Sequence, residues 1–99
     1  MNYNVNIFQI DTNKASEKLF QPFNGEPIRM SDYKKVYTYT HKSNVRDEQK
    51  VLNEVYQMFN ISHPEDFKGH SLSVSDIVQI NGTPYYVDDY GFKKIDDVC

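Results

Sequence analysis

The feature that most constrains this chain is an Asn81-Gly82 pair placed between two runs of residues that favour β-strands. One run covers residues 77–80 and the other covers residues 83–87. Asparagine and glycine both tolerate a positive φ, which the two-residue type I′ turn of a hairpin requires. The pair therefore predicts a β-hairpin over residues 76–88.

The same turn predicts the register of the hairpin, because two central residues place Ile80 opposite Thr83 and Val78 opposite Tyr85. Side chains alternate between the two faces of a strand. The expected core face carries Val78, Ile80, Tyr85 and Val87, and the other face carries Ile77 and Tyr86. Pro84 has no N–H to donate, so its strand is expected to start there or to be open at that point.

One long helix is predicted over about residues 45–59, because the apolar side chains there recur at the helical period. These side chains are Val51, Leu52, Val55, Met58 and Phe59. Asn44 is the expected N-cap, and Asp47 and Glu48 suit the positive end of the helix dipole. Asn60 is expected to end the helix.

Two further strands are predicted in the first half of the chain. Residues 3–10 alternate as a half-buried strand does, with Tyr3, Val5 and Ile7 on one side. Residues 35–40 are rich in β-branched and aromatic side chains, which fit a pleated surface. Near the end of the chain, residues 90–92 are expected to bend before a short strand at 93–95.

Residues 13–23 are ambiguous, and a short helix or turn capped by Thr12 or Asn13 is favoured over a strand around Leu19 and Phe20. Taken together, the predicted elements indicate one α+β domain over residues 1–99. We expect a small antiparallel sheet with the main helix packed on it.

The charge balance indicates which partners to expect. The chain has 11 basic and 14 acidic side chains, for a net charge of −3. Residues 60–99 hold most of the excess of acidic side chains, and no basic field of the kind that binds phosphates is evident. Nucleic acid is therefore an unlikely partner, although Tyr37 and Tyr39 beside Lys34, Lys35 and Lys42 leave base stacking open as an alternative.

The cellular setting is indicated by what the sequence contains at its ends. Cys99 is the single cysteine, so no disulfide is expected within the chain. The first residues resemble no signal peptide, and no apolar run approaches the roughly 20 residues of a membrane span. We expect a cytoplasmic protein that does not associate with membranes.

No catalytic or metal-binding pattern is recognisable. His63 and His70 lie seven residues apart, which matches no standard zinc spacing, so no metal or cofactor is expected. Ser71, Ser73 and Ser75 lie beside His70 and Asp76, but they are expected to be too close in sequence to converge as a triad. His63 is expected to cap a turn and His70 to bond the backbone of its own loop. We expect a protein that is not an enzyme.

Three stretches in the last third of the chain carry a family resemblance. They read His63-Pro-Glu-Asp-Phe-Lys-Gly-His-Ser-Leu-Ser-Val-Ser-Asp-Ile-Val-Gln-Ile, then Tyr85-Tyr-Val-Asp, then Tyr90-Gly-Phe-Lys-Lys-Ile. This pattern resembles the YodL-like family. The resemblance implies a domain found in bacterial plasmids, conjugative elements and phages, often beside other small domains in large polyvalent proteins. It implies no enzymatic activity and no catalytic residues.

The long motif also has a structural interpretation. Gly69 would take an unusual backbone angle, and Ser71, Ser73 and Asp76 would satisfy backbone groups of the loop. Asp88 and Gly91 would shape the final bend.

The favoured hypothesis is a non-catalytic protein-binding module from a bacterial mobile element, with an unidentified protein partner. The predicted contact surface consists of Gly69, His70, Ser71, Ser73, Asp76, Tyr86, Asp88, Tyr90 and Phe92. One alternative is a stand-alone inhibitor of a host defence nuclease, such as an anti-CRISPR or antirestriction protein, whose acidic part imitates DNA. A nucleic-acid-binding protein and, more remotely, a hydrolase using His70 are the others.

Overall fold

The computed structural model describes residues 1–25, 27–67, 69–89 and 91–95. Within these residues, five strands form one antiparallel sheet in the order β2-β1-β3-β4-β5. The strands are β1 (Asn2–Ile10), β2 (Tyr33–Lys42), β3 (Ile77–Ile80), β4 (Thr83–Asp88) and β5 (Gly91–Lys94). The helices are α1 (Thr12–Ala15) and α2 (Glu48–Ile61), with 3₁₀ turns at Ser16–Lys18 and Met30–Asp32. The predicted α+β class is confirmed.

The central strand is β1, which pairs with β2 on one side and β3 on the other. Its alternation is as predicted, since Tyr3, Val5 and Ile7 are buried in the core beneath α2. Ile7 pairs with Tyr37 but Phe8 pairs with Lys35, so β2 carries one extra residue at this point. This bulge bends the start of β2.

The hairpin has the predicted register, with Ile80 opposite Thr83 and Val78 opposite Tyr85. The two predicted faces are also confirmed: one packs under α2 and the other belongs to a second core. The open-edge option for Pro84 is wrong, because β4 lies inside the sheet between β3 and β5. Pro84 is the second residue of β4, and its carbonyl accepts from the N–H of Ile95, one residue beyond the end of β5.

Helix α2 begins three residues later than the expected cap implies. Asp47, and not Asn44, is the N-cap, and its Oδ1 accepts from the N–H of Gln49 at 2.9 Å. The reason lies in Val45, whose carbonyl accepts from the hydroxyl of Tyr3 at 2.5 Å and is thereby held against β1. The helix runs past Asn60 and ends at Ile61.

The two faces of the sheet are covered by different parts of the chain. On one face, α2 buries Val51, Leu52, Val55 and Phe59. On the other face, Phe23, Ile28 and Met30 pack against a smaller core of Ile77, Tyr86 and Ile95. The segment before this covering is the predicted short helix, α1, but Asp11 caps it and not Thr12 or Asn13. Among the described residues, no helix is long and apolar enough to cross a membrane.

Candidate functional site

The most specific stretch of the sequence, residues 69–76, folds around the side chain of Gln9. Gln9 lies on the core side of β1 and is 1% exposed. Its Nε2 donates to the carbonyl of His70 at 2.8 Å and to Oδ2 of Asp76 at 3.1 Å, while its Oε1 accepts from the N–H of His70 at 3.2 Å. The N–H of Ser73 donates to the same oxygen of Asp76 at 2.9 Å. Gln9 and Asp76 therefore hold the motif against the sheet.

The structure brings together three residues that were expected not to converge. Oγ of Ser73 lies 3.5 Å from Nδ1 of His70, and Oδ1 of Asp76 lies 3.9 Å from Nε2 of the same ring. The loop turns back on itself because Asp76 accepts from the N–H of Ser73, which a straight strand would not allow. The expectation that these side chains diverge is wrong.

Their arrangement does not activate Ser73. Nδ1 of His70 lies 2.8 Å from the carbonyl of Ser71, which only accepts, so this nitrogen carries the proton. Both hydrogens of the Gln9 amide are already donated elsewhere, which agrees with this tautomer. A protonated Nδ1 cannot remove a proton from the Ser73 hydroxyl, which instead donates to the carbonyl of Ser71 at 3.2 Å. The expected bond from His70 to its own loop is confirmed.

Asp76 is a buried carboxyl group in an unusual state. It is fully buried, and within the described part of the chain its Oδ1 has no hydrogen-bond partner. Burial raises the pKa of Asp76 to about 7, although the N–H of Ser73, the ring of His70 and the amide of Gln9 oppose this shift. Near neutral pH, a proton on Oδ1 of Asp76 or on Nε2 of His70 therefore faces a nearby acceptor.

Ser75 connects this motif to an exposed aromatic ring. Ser75 is fully buried and has a φ of 86°, and its carbonyl accepts from the hydroxyl of Tyr33 at 2.7 Å. Its hydroxyl accepts from the N–H of Phe20 at 2.9 Å. Phe20 itself has a φ of 65° and is 56% exposed, and its ring meets the ring of His70 edge-on at 5.9 Å. We call the exposed surface of Phe20, His70, Ser71 and Ser73 the Phe20 patch.

Gly69 is needed for a different reason from the one expected. Its backbone does not have a positive φ, but a Cβ at this position would lie 2.5 Å from Oε1 of Gln9 and 3.0 Å from the ring of Phe67. The close approach of the loop to Gln9 excludes any side chain. The unusual angle occurs instead at Gly91, where φ is 111°, as expected for the final bend.

Two residues of the predicted contact surface are buried. Asp76 is fully buried, and Tyr86 is 5% exposed because its ring packs against Phe23 and its hydroxyl donates to the carbonyl of Gln21. Their side chains therefore do not form a contact surface, which corrects that expectation. Burial also raises the pKa of Tyr86 to about 12.

The remaining predicted residues lie at two separate places. Asp88 accepts from the N–H groups of Phe23 and Asp89, so it shapes the bend as expected. Phe92 is half-buried and meets the ring of Tyr56 on α2 at 6.0 Å. Gly69, His70, Ser71 and Ser73 lie together at the motif, whereas Tyr90 lies outside the described residues.

The aromatic rings on β2 do not form a stacking platform. Tyr37 and Tyr39 both pack edge-on against Phe59 of α2 at 5.7 and 5.6 Å. The hydroxyl of Tyr37 donates to Asp66, and burial raises the pKa of Tyr39. Base stacking on these rings, the nucleic-acid alternative, does not agree with this packing. Within the described residues, no group of three or more His, Cys, Asp or Glu side chains is placed to hold a metal ion.

Sequence reasoning missed Gln9 and Phe20. Gln9 carried a signal, because it continues the inward series of Tyr3, Val5 and Ile7 as a polar residue at a core position. Phe20 carried none, because its exposure depends on a hydroxyl 55 residues away.

The fold and the site define a small α+β domain in which a polar loop motif is fastened to the central strand of the sheet. The chain belongs to the YodL-like domain family, whose model matches residues 4–97. Comparison with curated proteins found no match, and comparison with solved structures found none either.

Proposed function

We propose that this domain is a non-catalytic protein-binding module of a bacterial mobile element, acting in the cytoplasm. The Phe20 patch is the part of its surface that contacts the protein partner. The observation that carries this proposal is the position of Phe20, which is more than half exposed and is held in a left-handed conformation by the buried hydroxyl of Ser75.

Displaying this ring costs the free domain stability. A left-handed φ costs a residue with a Cβ about 1 kcal/mol or more, and an exposed phenylalanine forgoes roughly 1.5–3 kcal/mol of burial. Strained residues of this kind concentrate at binding sites, where a partner offsets the cost. A protein that buries the ring of Phe20 and bonds to Ser71 or His70 would gain apolar area and directional contacts together.

The chemistry of the motif supports binding and not catalysis. Ser73 faces the protonated nitrogen of His70, so this serine has no base at that ring. The buried Asp76 is engaged with Gln9 and Ser73, which are groups of the fold. The mobile-element setting and the cytoplasmic location rest on the family alone.

Affinity capture with matched variants tests the proposal. The bait is the whole domain in a native bacterial lysate, with mass spectrometry of the proteins retained by wild type, Phe20→Ser and Ile61→Ser. Ile61 is 81% exposed at the end of α2, so it is an apolar control outside the patch. We expect Phe20→Ser to lose the retained partner while Ile61→Ser keeps it.

Thermal unfolding keeps this test independent of folding. Phe20→Gly removes both the ring and the backbone strain, so it should unfold at the same temperature as wild type or higher and still lose the partner. Equal retention by wild type and Phe20→Ser would show that the patch is not the contact surface. If the partner is a nuclease, its activity with and without the domain tests the inhibitor alternative.

A further inference from the structure

The outer edge of β2 has a row of backbone groups that face away from the sheet. Asn4 directs both its N–H and its carbonyl toward Asn81, on the β3 side of β1. Since Thr40 pairs with Asn4, the backbone groups of Thr40 point away from β1. The same alternation applies to Thr38 and Lys42. Within the described residues, β2 is an edge strand with no strand beyond it.

We propose that the free edge of β2 (residues 37–42) accepts an extended segment of another protein as a sixth strand. The segment carries two carboxylates six positions apart, with apolar side chains at alternate positions between them. This inference rests on the proposed protein-binding function and names the form of the partner. Strand addition of this kind takes its affinity from main-chain hydrogen bonds and its specificity from alternate side chains.

The charges come from two exposed lysines that bracket the edge. Lys35 and Lys42 lie seven residues apart, and the bulge between them places both on the face of the sheet opposite α2. In the part of the chain that the structure describes, no carboxylate lies within salt-bridge distance of either lysine. A strand paired with β2 lacks the bulge residue, so its side chains opposite Lys42 and Lys35 lie six positions apart and on one face.

The apolar requirement comes from the other face of the same edge. Tyr37 and Tyr39 are half-buried beneath α2 and leave part of their rings open toward the edge. Side chains opposite them on an added strand would extend the core outward. A second copy of this chain fits poorly, because it would bring its own lysines to the seam, where facing like charges are destabilising.

The experiment uses a nine-residue peptide, Thr-Glu-Val-Thr-Val-Thr-Val-Glu-Thr, and a control with lysines in place of both glutamates. Binding of each peptide to the whole domain is measured by fluorescence anisotropy at low salt. We expect the acidic peptide to bind about tenfold more tightly, since two attractive contacts replace two repulsive ones. The double variant Lys35→Glu/Lys42→Glu should reverse this order.

Thr40→Pro tests the main-chain contact. Its missing N–H is one that faces away from β1, so the sheet keeps its own bonds and the variant should unfold at nearly the wild-type temperature. We expect it to bind neither peptide. Equal binding of both peptides by wild type, no binding of either, or undiminished binding by Thr40→Pro would each overturn the inference. A dimer that Thr40→Pro dissociates would place a second copy on the edge and also overturn it.

Phe20→Ser separates this inference from the proposed patch. Phe20 is not part of β2, so the variant should bind the acidic peptide as wild type does. If the peptide fails while capture still depends on Phe20, only the edge inference fails. If the peptide binds through Thr40 and capture does not depend on Phe20, only the patch fails.

Discussion

The amide nitrogen of Gln9 lies 3.1 Å from Oδ2 of Asp76, and both side chains are almost completely buried. The two residues are 67 positions apart in the sequence, and this bond fastens the loop motif to the central strand. The polar residues of the motif therefore contribute to the fold itself, and their substitution should change stability in ways that depend on each contact.

Asp76→Asn should remove a pH dependence from the stability of the domain. Burial raises the pKa of Asp76 from 3.8 to about 7, so the folded state keeps a proton that the unfolded state releases. This contribution is complete below the unfolded pKa and is lost as the pH rises through the folded pKa, so wild-type stability should fall between about pH 4 and pH 7. We expect the asparagine variant to fall less steeply over that window in urea unfolding, and to be at least as stable at pH 8. The exposed Asp89→Asn is the control, and a slope for Asp76→Asn equal to that of wild type would contradict this assignment.

Gln9→Leu should destabilise the domain by about 2–3 kcal/mol. The substitution keeps the apolar volume but leaves the carbonyl of His70 and the carboxyl of Asp76 without their donor, and a buried group without a partner costs about 1–3 kcal/mol. The measurement is equilibrium denaturation. Gln79→Leu is the matched control, because Gln79 is only half-buried and bonds to Asn6 on the opposite face, and it should cost less than about 1 kcal/mol. Equal losses in the two variants would show that the Gln9 contacts have no special weight.

Gly69→Ala should cost about 1–3 kcal/mol, although its backbone angle is ordinary. The added methyl group would lie 2.5 Å from Oε1 of Gln9, which must move and thereby weaken its bond to the N–H of His70. Gly25→Ala provides the contrast, because Gly25 has a φ of +84° and open space around it, so only backbone strain of about 1 kcal/mol applies. Both values come from chemical unfolding, and a Gly69→Ala variant as stable as wild type would rule out the close contact.

Asp47→Ala and Asn44→Ala should differ, because only Asp47 caps α2. Loss of the carboxylate leaves the N–H of Gln49 without its acceptor and should cost about 1 kcal/mol. Asn44 is exposed and lies before the extended connection to the helix, so its substitution should change stability by less than about 0.5 kcal/mol. Circular dichroism during thermal unfolding compares the two, and the reverse order would restore Asn44 as the cap.

The elements that could be predicted are those specified by neighbouring residues. The Asn81-Gly82 turn determines its hairpin and register locally, and the helical period of residues 51–59 identifies the buried face of α2. The cap of α2 could not be predicted, because the tie between Tyr3 and Val45 spans 42 positions. The same limit applies to Pro84, since its strand was placed correctly but its neighbour β5 could not be foreseen.

The sequence by itself determined the α+β class, the hairpin, the core faces of the strands and the family, because short-range geometry and periodicity act within a few residues. Only the tertiary structure decided which motif residues are exposed. Asp76 and Tyr86 are buried because Gln9 and the segment around Phe23 cover them, and Phe20 is exposed because Ser75 holds its backbone. Such contacts join residues that are more than fifty positions apart, and no local pattern encodes them.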